Sequence, residues 1–213
     1  MTVVEMHIAL NLGLQRIGSN AFDDFQSEEI DVYLNDSVTK YIKALVAILR
    51  DSDDNNAVKI ANENLWTLVK DTDTPALSPH GIYPNSFTGA VPADYYIFLS
   101  AIAYDDANWF RCSVKSPIDW QSYLPTYKNK PIFREVPVLL SSGVFTVIKD
   151  REMSDLTKLR IIYVKAPDVI LRDDDTPGNN VDCNLPDHTH QEIVDMSVSL
   201  MIEDLMQGRA KAS

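Results

Sequence analysis

Apolar residues recur at helical spacing along the segment 27–50. Their intervals are four, four, three, four and three, at Ile30, Leu34, Val38, Tyr41, Leu45 and Ile48. This period places side chains on one face of an α-helix. Ser27 has the character of an N-cap, three acids follow it at Glu28, Glu29 and Asp31, and Arg50 stands at the end, as the helix dipole favours. The pattern predicts an amphipathic helix over 27–50.

Two shorter helices are predicted on either side of this one. At the start of the chain, Thr2 and Glu5 have the spacing of a capping box, and Val4, Ile8 and Leu12 follow at helical spacing. This pattern predicts a helix over 2–17. After the polar turn 51–56, a helix is predicted over 57–70, with the following inward positions: Ile60, Leu65, Leu68 and Val69.

The C-terminal region predicts a fourth helix, over 190–207. Thr189 and Glu192 again have capping-box spacing, and Gly208 is a natural stop. Its apolar stripe consists of Val194, Val198, Met201 and Leu205. Such a stripe has to be buried, and the 27–50 helix offers the longest complementary face. We therefore predict that the last helix packs on the N-terminal helices.

The middle of the chain changes to short runs rich in β-branched and aromatic residues. These runs predict strands over 95–99, 109–114, 133–140, 144–148 and 159–164. The last three form a predicted meander, with Ser141-Ser142-Gly143 as its first turn. Pro137 predicts that its strand lies at an edge or carries a bulge. The segment 72–92, with four prolines and two glycines, predicts irregular structure.

Together these patterns predict an α+β fold, with N-terminal helices and a C-terminal helix packed as a bundle beside an antiparallel β-meander. Three parts are expected along the chain. They are a helical part over 1–74, a proline- and aromatic-rich β part with long loops over 75–180, and over 181–213 a C-terminal helix that returns to the helical part. Eight of the eleven prolines and twelve of the nineteen aromatic residues lie in 75–137.

The net charge of −12 argues against a protein that binds nucleic acid by neutralising phosphates. The apolar runs are far shorter than the ~20 residues that span a bilayer, so no membrane association is expected. The start of the chain lacks the pattern of a signal peptide, and Cys112 and Cys183 are too few for a disulfide framework. Synthesis in a cytoplasm is expected.

Three groups of residues could bind a metal, and each has a weakness. Asp173, Asp174 and Asp175 could hold Mg²⁺ or Ca²⁺, although adjacent aspartates before a Pro-Gly turn are more often solvated. The segment 51–55 resembles the start of a calcium loop, but it lacks the turn glycine and the later glutamate. Cys183, His188 and His190 lack a fourth zinc ligand. No phosphate loop, nucleophile elbow or catalytic dyad is present. We therefore expect no enzyme, and no catalytic, cofactor-binding or metal-binding residue.

Aromatic residues of the middle segment offer a binding surface instead. Trp109, Trp120, Tyr123 and Tyr127 could stack on a sugar or a single-stranded nucleic acid, with Lys115, Lys128 and Lys130 interleaved among them. Packing in a core or an interface accounts for the same residues and is favoured. A carbohydrate- or receptor-binding virion module thus stays open as an alternative function, and a metal-dependent hydrolase using the aspartate-rich loops is less favoured.

Three segments resemble head-to-tail connector proteins, the portal-proximal ring or adaptor proteins of short-tailed, crAss-like phages. The first is the opening pair of helices that includes Lys40-Tyr41-Ile42-Lys43-Ala44-Leu45. The second is Val91-Pro92-Ala93-Asp94-Tyr95, which is similar to the entry to the β part in that family. The third is Arg160-Ile161-Ile162-Tyr163-Val164 with the later entry Asn184-Leu185-Pro186 to the last helix.

The resemblance implies a non-enzymatic structural protein of the virion. Members of the family form closed rings, normally twelvefold, that extend the portal channel and dock the tail. The expected partners are further copies of the chain, the portal protein and other tail or ring proteins. Genomic DNA would pass without specific binding. The segments 72–92 and 115–131 are the candidate axial docking loops.

Overall fold

The computed structural model describes residues 1–17, 25–74, 77–81, 85–105, 108–118, 135–149 and 153–212, and these show an α+β fold, as predicted. The chain divides into two compact units. A helical unit comprises Met1–Leu68 and Pro167–Ser213, and a sheet unit comprises Val69–Ala166. The unit boundaries therefore fall at 68/69 and 166/167, whereas the sequence placed them at 74/75 and 180/181.

The helical unit contains four described α-helices: α1 (Val3–Ile17), α2 (Ser27–Asp51), α3 (Asn55–Leu65) and α4 (His190–Ala212). Two 3₁₀ turns, Pro177–Asn179 and Asp187–Thr189, precede α4. As predicted, α4 packs on the N-terminal helices; it contacts both α1 and α2. Buried serines mark the α2–α4 contact, since Ser197 Oγ lies 2.8 Å from Ser37 Oγ.

Burial along α2 and α4 follows the predicted stripes. Five of the six apolar positions of α2 are buried, and Ile48 is half-buried. On α4, the buried residues include Val194, Val198 and Met201, while Leu205 is half-buried. Long periodic segments thus give reliable faces when one stripe dominates.

The first helix buries a different stripe from the one that its regular spacing marked. Its buried side chains are Val3, Met6, Leu10 and Leu14, while Val4, Ile8 and Leu12 are exposed. In α3, the predicted inward residue Ile60 is likewise exposed. Since α1 carries apolar residues around much of its circumference, contact with α2 and α4 decides which stripe is buried.

The helix starts agree only in part with the predicted caps. The capping box of Thr2 and Glu5 is present: the Thr2 amide donates to Glu5 Oε2 at 2.8 Å, and the Glu5 amide donates to Thr2 Oγ1 at 3.3 Å. The predicted cap Ser27 is wrong, because Gln26 occupies the N-cap position of α2. The Ser27 hydroxyl donates to Asp174 instead.

The start and end of α4 also differ from prediction. Thr189 does not form a capping box, because its hydroxyl donates to the Pro186 carbonyl, the same oxygen that accepts from the Thr189 amide and closes the 3₁₀ turn. Glu192 instead accepts a hydrogen bond from the Tyr41 hydroxyl of α2. The helix continues past Gly208 to Ala212, since a glycine lowers helix stability without forbidding a helix.

Gly13 allows α1 and α4 to approach closely. A Cβ atom at this position would lie 2.8 Å from Val198 Cγ2, which is shorter than real Cβ contacts. We expect Gly13→Ala to lower the free energy of unfolding by about 1–3 kcal/mol, the usual cost of overpacking, despite the better helix propensity of alanine. The Gly13→Ala/Val198→Ala double variant removes the clash and should recover part of the loss in urea denaturation. An unchanged single variant would mean that Val198 rotates away freely.

The sheet unit contains eight described strands: β1 (Val69–Asp73), β2 (Ser78–Pro79), β3 (Ser86–Ala90), β4 (Tyr95–Tyr104), β5 (Trp109–Val114), β6 (Glu135–Ser141), β7 (Val144–Ile148) and β8 (Lys158–Lys165). Their order is β1-β8-β4-β5-β6-β7-β3-β2. The two edge strands, β1 and β2, are joined by a connection of only four residues. The last of these, Leu77, donates its amide to the carbonyl of Thr157, which directly precedes β8. The sheet therefore curls until its edges approach, and its core lies inside the curl.

The predicted meander is wrong in its third strand and right in its hairpin. β6 and β7 pair through a two-residue turn in which Ser142 and Gly143 have φ of 52° and 74°. Positive φ at both positions is the type I′ geometry that suits the twist of a hairpin. However, β8 pairs with β4 and β1, and β5 pairs with β6 in parallel, so the sheet is mixed rather than antiparallel throughout.

The segment 69–90 contains three strands where the sequence predicted the end of a helix and an irregular loop. α3 ends at Leu65, and Val69–Asp73 pairs with β8. β3 pairs on one side with β7 and on the other with β2. Phe87 in β3 is only 6% exposed and belongs to the sheet core. Pro79 is tolerated in β2 because that strand lies at the edge of the sheet.

Pro137 does not mark an edge strand, because β6 lies between β5 and β7. The proline falls just outside the stretch that pairs with β7, which begins at Val138. Its missing amide therefore costs the antiparallel ladder nothing, and the predicted edge or bulge is wrong.

Candidate functional site

The outward face of the sheet unit carries a group of aromatic and basic side chains that come from three adjacent strands. Ile102 of β4 is opposite Arg111 of β5 and Arg160 of β8. Two residues later, Tyr104 is opposite Trp109 and Lys158. Residues directly opposite each other share a face, so all six point outward. We call this surface the sheet patch; it consists of Ile102, Tyr104, Trp109, Arg111, Lys158 and Arg160.

One of its three cations is neutralised by an adjacent acid. The Arg160 guanidinium donates to both oxygens of Asp71, at 2.7 and 2.5 Å. This pair lowers the pKa of Asp71, through hydrogen bonding and charge, so the carboxylate is ionised at neutral pH. For Arg111 and Lys158, no ion pair is found among the described residues. These two cations border Trp109, whose side chain is 67% exposed.

The helical unit has a groove of ≈ 350 Å³ between α2 and the segment 167–169. Asn35 holds the two together, because its amide donates to the Ile170 carbonyl and its carbonyl oxygen accepts from the Ile170 amide at 2.8 Å. Val32 and Val169 on its rim are 60% and 69% exposed. We call this the α2 groove; it is lined by Val32, Asn35, Asp36, Val38, Thr39, Pro167, Asp168 and Val169.

The α2 groove is apolar with two acids at its mouth. Asp36 and Asp168 are both exposed, and Asp168 also accepts a hydrogen bond from Asn184 at 3.0 Å. Val38 forms its buried floor. A concave apolar surface with few polar groups is the usual form of a binding site for a side chain or small ligand.

The aspartate triple stabilises its own loop. Asp173 accepts from the amides of Asp175 and Thr176 and from the Asn179 side chain, which lowers the pKa of its carboxyl group. Asp174 is ion-paired with Arg172 at 2.7 Å. Two of the three carboxylates, those of Asp173 and Asp174, are therefore bound to groups of the same loop or of α2.

Cys183, His188 and His190 make separate contacts. His188 Nε2 lies 2.8 Å from Asn64 Oδ1, whereas buried His190 places Nε2 at 2.8 Å from the Leu185 carbonyl and Nδ1 at 2.9 Å from the Met1 amine. Burial raises the pKa of Cys183. Among the described residues, no group of three His, Cys, Asp or Glu side chains could hold a metal ion.

The predicted aromatic platform is only partly described. Trp109 is on the outward face of β5, and Lys115 follows that strand. Trp120, Tyr123, Tyr127, Lys128 and Lys130 lie outside the described residues, as does most of the segment 115–131. The structure instead brings Tyr104 and Lys158 to Trp109, and neither was singled out in the sequence.

Sequence reasoning also missed a buried polar pair between α1 and α2. His7 Nε2 lies 2.8 Å from Asp31 Oδ1, and the other oxygen of Asp31 accepts from the Arg172 amide at 2.9 Å. His7 is fully buried, and no hydrogen-bond partner of its Nδ1 is found among the described residues. Burial is the main cause that lowers the pKa of His7. A histidine within an apolar helical stripe was the available signal.

The lowered pKa of His7 predicts that the protein becomes less stable as the pH decreases. Unfolded His7 takes up a proton below about pH 6.5, whereas the folded protein resists it, so acid favours unfolding. The contribution of neutral His7 to the free energy of unfolding is therefore complete above about pH 6.5, and it is lost as the pH falls toward the pKa of His7 in the folded protein. We expect His7→Gln, which keeps a donor for Asp31, to be less stable than wild type at pH 7.5. The difference between the two proteins in the free energy of unfolding, measured by urea denaturation, should be smaller at pH 5.5. Parallel pH profiles for the two proteins would contradict this.

Comparison with known proteins gives no further identification: no family model matches the chain, and no curated protein matches it. Within the described residues, every helix is too short or too polar to cross a membrane.

Proposed function

We propose that this protein is a ring-forming head-to-tail connector or adaptor subunit of a phage virion. In this role it extends the portal channel and docks the tail, and it has no catalytic activity. It is made in the host cytoplasm and ends in the virion. Its partners are further copies of itself, the portal protein and neighbouring tail or ring proteins.

The observation that carries this proposal is the unequal charge of the two units. The helical unit has twenty-one acidic and eight basic residues, a net charge of −13, whereas the sheet unit has ten acidic and eleven basic residues, a net charge of +1. A ring needs two unlike surfaces that meet head to tail between neighbouring copies. Units of such different charge supply unlike surfaces, and the acidic one repels phosphates, as the wall of a DNA conduit should.

The resemblance of its helical opening, Val91–Tyr95 and 160–164 segments to portal-proximal ring proteins supports the same function. The exposed stripe of Val4, Ile8 and Leu12 on α1 is consistent with it, because such apolar surface is usually covered by a partner. Portal or tail proteins are the natural candidates for this second contact.

The test is assembly with a portal protein. Purified protein should form ring-sized particles by mass photometry and negative-stain electron microscopy, alone or when mixed with the portal protein of the same phage. A protein that stays monomeric at tens of micromolar, with and without portal, would contradict the proposal.

One observation favours a second candidate, a carbohydrate- or receptor-binding virion module. The exposed Trp109 with Tyr104 beside it has the form of a platform on which a sugar ring stacks. A monomeric protein that binds a glycan array, and loses that binding in Trp109→Ser, would establish this alternative.

A further inference from the structure

The sheet patch and the α2 groove differ in complementary ways. The sheet patch carries Trp109, which is 67% exposed, and two cations, Arg111 and Lys158, for which no ion pair is found within the part of the chain that the structure describes. The α2 groove is concave and apolar, with Asp36 and Asp168 at its mouth. Trp109, Val32 and Val169 stay exposed in the single chain, so neither surface is satisfied within one copy.

We propose that the sheet patch of one copy docks into the α2 groove of a second copy. Trp109 enters the groove between Val32 and Val169, while Arg111 and Lys158 face Asp36 and Asp168. This inference rests on the proposed ring function and names its lateral contact.

Size and stiffness support this pairing. A groove of ≈ 350 Å³ is in the range of pockets that hold small molecules, and an indole is smaller than most of these. The bonds between Asn35 and Ile170 fix the groove walls before any partner arrives, so little ordering entropy is lost on docking. Exposed tryptophan flanked by cations is the composition of an interface anchor.

Charge favours a second copy over nucleic acid as the occupant. With Arg160 neutralised by Asp71, the sheet patch has two further cations, Arg111 and Lys158, which would neutralise at most about two phosphates and give weak binding. The helical unit of another copy, at −13, attracts the sheet patch over a longer range. Docking leaves one groove and one patch free on the pair, so further copies can add until the chain of contacts closes.

Complementary variants test this contact. Trp109→Ser removes the anchor and Val169→Lys blocks the groove; both positions are exposed, so both proteins should fold. By sedimentation velocity, wild type should assemble at 50 mM salt and weaken at 500 mM salt. Each variant alone should associate at least roughly 30-fold more weakly, which corresponds to a hot-spot loss.

The mixture of the two variants distinguishes a head-to-tail contact from other modes. The Trp109→Ser protein keeps its groove, and the Val169→Lys protein keeps its patch, so mixing them should give a one-to-one dimer that cannot grow. Wild-type-like assembly of both single variants would overturn this contact while leaving the ring proposal intact. Wild type that stays monomeric with and without portal protein would overturn the ring proposal itself. Single-stranded DNA binding that needs Trp109, with assembly unaffected, would assign the sheet patch to nucleic acid and overturn the inference.

Discussion

The variant Val198→Asp should lose most of its stability, with a fall of roughly 3–5 kcal/mol in the free energy of unfolding. Val198 is 7% exposed, and its methyl groups lie where a Cβ on Gly13 would clash. The α1–α4 contact is therefore too close to admit water around a carboxylate. An ionised aspartate would be buried in an apolar seam, and the helices would separate to hydrate it.

A matched control lies one residue away on the same helix. Ser199 is exposed, so Ser199→Asp introduces the same charge on the solvent side and should change stability by less than about 0.5 kcal/mol. Urea denaturation followed by circular dichroism at 222 nm measures both variants. Equal stability of Val198→Asp and Ser199→Asp would mean that α4 does not use this face against α1.

The sequence predicts the buried face of a helix well where the pattern within that helix is sufficient, and poorly where neighbouring helices decide which face is buried. In α2 a single apolar stripe dominates, and five of its six predicted residues are buried. In α1, two stripes compete, and the stripe of Met6, Leu10 and Leu14 is buried because neighbouring helices meet that side. Periodicity within a helix cannot make that choice, since it contains no information about the partners.

Strand existence was easier to predict than strand pairing. The runs at β5 and β7 were predicted with the bounds that the structure has, and the Ser142-Gly143 turn fixed the β6–β7 hairpin. By contrast, β8 is between β1 and β4, from which it is separated by many residues of chain. No short turn specifies such contacts, so the meander was the simplest topology and was wrong.

The sheet patch was out of reach for the same reason. Trp109 was recognisable as a solitary aromatic candidate, but Lys158 reaches it only because β4 pairs with both β5 and β8. The α2 groove depends on Asn35 binding the backbone of Ile170, 135 residues later in the chain. Both surfaces are products of tertiary structure, and their residues carry no shared sequence motif.

Deleting residues 78–90 should abolish cooperative folding of the sheet unit. The sequence marked 72–92 as an irregular segment and a candidate docking loop, but this segment supplies β2 and β3. Without β3, the backbone of β7 loses its partner on one side, and the core loses Phe87. A buried phenylalanine alone contributes about 3–5 kcal/mol, and the unpaired strand adds to that, against a total stability of about 5–15 kcal/mol.

Two point variants make this deletion interpretable. Phe87→Ala should give a folded but weakened protein, whereas Gly81→Ala should be neutral because its added Cβ meets nothing within 4 Å. The deletion protein should show no cooperative transition in near-ultraviolet circular dichroism and should bind a hydrophobic dye. If it instead unfolds cooperatively at the wild-type urea midpoint and only fails to join the portal, then β3 is dispensable to the sheet. In that case the 78–90 segment is an axial docking element after all, distinct from the lateral contact between the sheet patch and the α2 groove.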